Sequence, residues 1–166
     1  MKSFLSDFPP FDALIKEMIG ISYPAYREAN GHIHTPYSFS AFIGLDTAFK
    51  MAVAENIAVL GINDFYVTDG YNAFHEGCLA HKIFPLFNIE FIGLLKEEQK
   101  KGIRINDPNN PGRIYFSGKG LDYPFKVGWT QRRQLRKVKR ESQVHIKAMI
   151  TKLNHLIERE KPALSL

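Results

Sequence analysis

An alternation of strand-like and helix-like stretches between Gly31 and Phe91 constrains this chain more than any other feature. Ile57–Ile62 is a continuous apolar run with β-branched residues, the pattern of a strand buried on both faces. Ile83–Phe91 is mostly apolar as well, and Gly31–Thr35 is a shorter strand candidate ahead of both. Two helical stretches lie between them. Asp46–Asn56 carries Ala48, Met51, Ala52 and Val53 as much of an apolar stripe, with Asp46 placed to cap it. Tyr71–Lys82 is the second. Strand, helix, strand, helix, strand at this spacing predicts βαβ units and a parallel sheet, an α/β fold.

The flanks are simpler. Phe11–Met18 has the spacing of a short amphipathic helix, with Pro9 and Pro10 before it and Gly20 after it, and Ile21–Asn30 reads as a loop. Residues 1–30 are therefore expected to form an extension of helix and loop, and residues 31–166 a single domain, the number that 166 residues accommodate comfortably. Beyond the third strand, Asn106–Gly112 is turn chemistry throughout, and Gly102–Ile105 and Arg113–Ser117 are expected to flank it as a hairpin. Gln131–Glu160 reads as one helix whose apolar positions, Leu135, Val138, Ile146, Met149, Leu153 and Leu156, step mainly by three and four. Such a helix is about 45 Å long. Its stripe predicts self-association, docking of a further segment, or poor solubility of the isolated chain.

Composition excludes several classes. No apolar run approaches the ~20 residues of a membrane-spanning helix, and the stretch Met1–Pro10 lacks the apolar core of a secretory signal. The expectation is a cytoplasmic protein with no membrane partner. The lone cysteine, Cys78, rules out an intramolecular disulfide and reads as a small packing residue. The net charge of +5 conceals an asymmetry: residues 1–100 hold 7 basic and 12 acidic residues, whereas residues 101–166 hold 15 and 5. Basicity belongs to the last third, around Arg132, Arg133, Arg136, Lys137, Lys139 and Arg140. That run is either a solvated outer helix face or a contact for nucleic-acid phosphates or another polyanion.

The chemistry-bearing residues gather at predicted strand ends. His32 and His34 lie two apart on a strand, so both imidazoles face the same side and can share one metal ion. Histidine suits Zn²⁺, Mn²⁺ or Fe. Asp64 follows the second predicted strand, and Glu90 lies near the end of the third. In parallel α/β architectures reactive groups collect at the C-terminal strand ends. Taken singly, Asp64 is an ordinary cap or turn residue and Glu90 an ordinary edge carboxylate. Taken together, three successive strands deliver His, His, Asp and Glu to one rim. His75, His81, His145 and His155 fit no such pattern.

These residues resemble the polymerase and histidinol phosphatase (PHP) family. The matching stretches are His32-Ile33-His34-Thr35-Pro36-Tyr37-Ser38, Val59–Asp64, Val67–Tyr71 and Phe84–Phe91, in the family's order and at family-like spacing. The long C-terminal helix is similar too. The resemblance implies a distorted (β/α)7 barrel with a metal cluster at the strand C-terminal ends, hydrolysing phosphate esters with metal-activated water. It implies His32, His34 and Glu90 as metal ligands and Asp64 as a neighbouring acid that orients a ligand. It also implies a chain truncated before the later barrel strands. Three family ligand positions are unmatched: Phe65 stands where a histidine is expected, Pro36–Leu45 lacks the usual aspartate, and Arg113–Gly118 lacks a further histidine. The alternative is accordingly a non-catalytic PHP-like module for binding or assembly.

Overall fold

The computed structural model describes residues 2–20 and 27–160, and the chain divides into two units, residues 1–126 and 127–166. The first unit holds a four-stranded sheet in the order β1-β2-β3-β4. Its strands are β1 (Glu28–Ile33), β2 (Ile57–Phe65), β3 (Phe84–Leu94) and β4 (Arg113–Leu121). Helices α2 (Leu45–Ala54) and α3 (Tyr71–Ala80) make the two crossovers, so β1, β2 and β3 run parallel. β4 returns antiparallel to β3, and the sheet is therefore mixed rather than wholly parallel. Both crossover helices end in a left-handed residue, Asn56 (φ 57°) and Lys82 (φ 56°), which turns the chain directly into the next strand.

Alternation along the strands sorts the two sheet faces. Ile33, Leu60, Ile62 and Phe87 pack with Ala48, Phe49 and Ala52 of α2 and Phe74 and Cys78 of α3. Each buried Phe or Ile there contributes about 1.5–3 kcal/mol of hydrophobic stabilisation. Burial also raises the Cys78 thiol to about 12, consistent with a packing role. The intervening residues His32, Asn63, Asn88 and Glu90 face the other way.

Local departures from the sequence expectations have clear causes. β1 starts at Glu28, inside the expected loop, and stops at Ile33; residues 21–26 of that loop lie outside the described residues. Asp46 is not the cap of α2. Gly44 holds that position, and Asp46 sits in the first turn, paired across an exposed surface with Lys50 at 2.6 Å. β2 continues through Phe65, which puts Asp64 inside the strand rather than after it. Gly102–Ile105 is not a strand. β3 itself runs on to Leu94 and supplies the antiparallel partner of β4, with a short helix α4 (Lys96–Lys100) following it. Asp107 organises the intervening turn, accepting from the backbone N–H of Asn109 at 3.0 Å and of Asn110 at 3.1 Å. Burial raises its carboxyl, but these hydrogen bonds, the Asn110 amide and Arg113 outweigh that and hold it below the ordinary range. The amino-terminal helix α1 is Phe11–Met18, as the spacing predicts, and none of its residues is buried.

Gly61 marks the tightest contact between β1 and β2. A Cβ there would lie 2.5 Å from the carbonyl oxygen of Gly31 and 2.8 Å from its Cα. Backbone cannot rotate away as a side chain can. Gly61→Ala is expected to cost about 1–3 kcal/mol or more and to displace β1; a urea melt superimposing on that of the wild type would contradict this close approach.

The second unit is the helix α5 (Trp129–Glu160), about 48 Å long at ~1.5 Å per residue. Leu153 and Leu156 are each 44% exposed, and Val144, Ile146, Met149 and Ile150 are exposed as well. No helix among the described residues is long and apolar enough to cross a membrane.

Candidate metal centre

The register places the candidate residues side by side. Ile33 pairs with Ile62 and Phe65 with Glu90, so the end of β1 lies beside the last part of β2, and the end of β2 beside Glu90, which sits within β3 rather than near its end. The structure brings His32, His34 and Glu90 into one cluster. Glu90 Oε2 lies 3.1 Å from His32 Nε2 and 3.2 Å from His34 Nε2, and the two imidazole nitrogens are 3.2 Å apart. Three electron-rich atoms thus form a nearly equilateral triangle. Bonds of ~2.0–2.1 Å at tetrahedral angles place ligand atoms about 3.3 Å apart, so the donor set fits one zinc-sized divalent ion.

Neighbouring groups hold these three side chains. Asn63, fully buried, donates through Nδ2 to Glu90 Oε2 at 2.7 Å and lies 2.9 Å from His32 Nε2 and 3.2 Å from Ser117 Oγ. Tyr66 has a positive φ of 61°, and its N–H donates to the backbone carbonyl of Glu90 at 3.0 Å. This strained residue closes β2 against the strand that carries Glu90. Phe65 stacks on the His34 ring at 4.7 Å and 18°. Stacking orients that imidazole, because His34 Nδ1 is buried with no hydrogen-bond partner among the described residues.

Asp64 does something different. Its neighbours in the strand, Asn63 and Phe65, face the cluster, whereas Asp64 points to the other side. There it accepts from the backbone N–H of Thr35 at 2.6 Å, the Thr35 hydroxyl at 2.5 Å and the Ser38 hydroxyl at 2.9 Å. It anchors the loop that leaves His34. Arg132, Arg133, Arg136, Lys137 and Arg140 belong to α5 in the second unit, where the Arg133 guanidinium stands 5.8 Å over the Trp129 ring. His75 stacks on Tyr123 at 4.5 Å, and His81 lies 2.9 Å from the Gly77 carbonyl, so both are accounted for by packing.

Asn63, Ser117 and Lys119 were not legible as site residues. Asn63 follows from period-two alternation once β2 is extended past Ile62. Ser117 and Lys119 depend on the antiparallel register of β4, which no local pattern announces.

Burial lowers the His34 pKa from its ordinary value, overcoming the opposing pull of Glu90 and Asp64; His32 and Lys119 also lower it. The neutral ring, with a lone pair free for a metal, is thereby favoured at pH 7. As pH falls, the unfolded chain takes up its proton first. Stability is present in full above the ordinary histidine pKa and is lost as pH drops through the lower His34 value. In the metal-free chain, the His34 imidazole resonances should titrate below the ordinary histidine midpoint of ~6.5; a midpoint at or above that value contradicts the buried neutral ring.

No family model matches the chain. Over 59 residues, 35% of its length, it is 34% identical to the DNA polymerase III subunit alpha of Staphylococcus aureus strains Mu50, N315 and COL. The chain spans about 6% of the length of those curated relatives. It is thus similar, weakly and over about a third of its own length, to a polymerase subunit, a likeness that loosely supports the resemblance its motifs carry.

Proposed function

We propose that residues 31–166 form a PHP-type phosphoesterase domain with His32, His34 and Glu90 as ligands of one divalent ion. The observation that carries this reading is the triangle of two Nε2 atoms and one carboxylate oxygen, 3.1–3.2 Å on each edge. Two imidazoles and a carboxylate suit zinc, manganese or iron. When bound, the ion would lower the pKa of a coordinated water and offset charge on phosphoryl oxygens. The chain's own part is positional: Asn63 steadies Glu90, Phe65 steadies His34, and Asp64 steadies the loop after β1. In this reading β1, β2 and β3 are opening strands of a distorted (β/α)7 barrel, residues 1–30 are an extension, and residues 31–166 form the PHP-like domain. The expected result is hydrolysis of p-nitrophenyl phosphate with added Mn²⁺ or Zn²⁺ that falls to background when His32 and His34 are both alanine. Turnover surviving that double replacement would refute the site.

A second reading is favoured by one residue. Phe65 lies flat on His34 where the resemblance expects a ligand, so the metal centre has fewer protein donors than the family's. The domain would then serve binding or assembly without catalysis, through self-association along the exposed α5 stripe or polyanion contact at Arg132–Arg140. One bound equivalent of metal without turnover is the result that supports it.

A further inference from the structure

We propose that Lys119 is an anion anchor, its ammonium taking the oxygens of a phosphate group presented to the His32, His34 and Glu90 cluster. The identity of the anion rests on the phosphoesterase reading; the availability of the lysine does not. Lys119 lies on β4, and its Nζ donates to the Gly31 carbonyl and to Asn63 Oδ1, both at 3.2 Å. Both acceptors are neutral. No carboxylate among the described residues forms a direct ion pair with Nζ. An ammonium has three N–H donors. Two are engaged here, and the third belongs to an exposed side chain.

Those two bonds also fix where the charge sits. Gly31 adjoins His32 in the chain, and a single side-chain amide, that of Asn63, separates Nζ from Glu90 Oε2 and His32 Nε2. These contacts place the ammonium at the margin of the cluster. A phosphate monoester carries close to two negative charges. Glu90 adds another where the substrate must approach. One divalent ion leaves that sum negative, and a fixed cation at the margin offsets it. Lysine acts on phosphate as a compact point charge.

A purely structural role is the competing explanation, since Lys119 also satisfies the buried amide oxygen of Asn63. Lys119→Gln separates the two because glutamine keeps N–H donors and loses the charge. Inorganic phosphate binding to the full chain is measured by titration calorimetry, without metal and with one equivalent of Zn²⁺. Lys119→Gln is expected to weaken binding by about tenfold or more, and Lys119→Arg to restore most of it. In ¹⁵N-lysine-labelled wild type, the Lys119 Nζ resonance should move on adding phosphate, a readout that needs no variant. Equal phosphate affinity in wild type and Lys119→Gln, an unmoved Nζ resonance, or no phosphate binding at all overturns the anchor. Zinc stoichiometry from equilibrium dialysis is read separately. Phosphate held through Lys119 by a chain that binds no zinc refutes the metal reading alone, whereas zinc binding without phosphate refutes the anchor alone.

Discussion

Replacing His34 with alanine is expected to abolish stoichiometric metal binding while leaving the sheet folded. His34 supplies one of three donors, each 3.1–3.2 Å from the other two. Two donors cannot define the site that three do. Losing an outer hydrogen-bond partner of a metal ligand already costs roughly 10–100-fold in affinity, and losing a ligand should exceed that. The fold should survive, because the helix-covered core of Ile33, Leu60, Ile62, Phe74 and Phe87 lies on the other face of the sheet. His32→Ala should behave alike. Equilibrium dialysis against Zn²⁺ or Mn²⁺, paired with circular dichroism, checks both. A folded His34→Ala chain that still binds one equivalent as tightly as wild type would place the metal elsewhere.

Asp64→Ala should have the larger effect on stability. Asp64 and Thr35 are both fully buried, and three hydrogen bonds converge on the carboxylate. Alanine would strand the Thr35 N–H and hydroxyl away from water. An orphaned buried donor costs about 1–3 kcal/mol, so the loss should reach about 3 kcal/mol or more, a large share of the ~5–15 kcal/mol typical of a domain. Metal affinity should fall with it, because Thr35 follows His34 directly and holds it only while that loop is pinned. Asp64→Asn keeps one acceptor oxygen and should recover part of both. Chemical denaturation with metal titration on the same samples tests this; an Asp64→Ala chain as stable as wild type contradicts the anchoring role.

The parallel core was legible because βαβ periodicity is local. Ile57–Ile62 and Ile83–Phe91 are apolar runs that need burial, and Asp46–Asn56 and Tyr71–Lys82 have the length of crossovers. What could not be read was set by distant pairing. β4 turns antiparallel because β3 continues to Leu94 and meets it across the turn that Asp107 organises. A continuous apolar run does not say where it ends. The same ambiguity hid the extension of β2 through Phe65, and with it the division of labour between adjacent residues: Asn63 faces the cluster and Asp64 the loop. The histidine pair was visible from its spacing, although β1 stops at Ile33 and His34 lies just past the strand; the two imidazoles meet nonetheless. Lys119 was invisible, because its place depends on an antiparallel register that no local motif encodes.

The most direct measurement is the X-ray absorption spectrum of the chain loaded with one equivalent of Zn²⁺. A nitrogen and oxygen coordination shell at ~2.0–2.1 Å containing two imidazoles is expected, with the imidazole scattering lost in His34→Ala and in His32→Ala, where zinc stays hydrated in solution. A spectrum with no imidazole scattering, or one that neither substitution changes, would contradict a metal centre built from His32, His34 and Glu90.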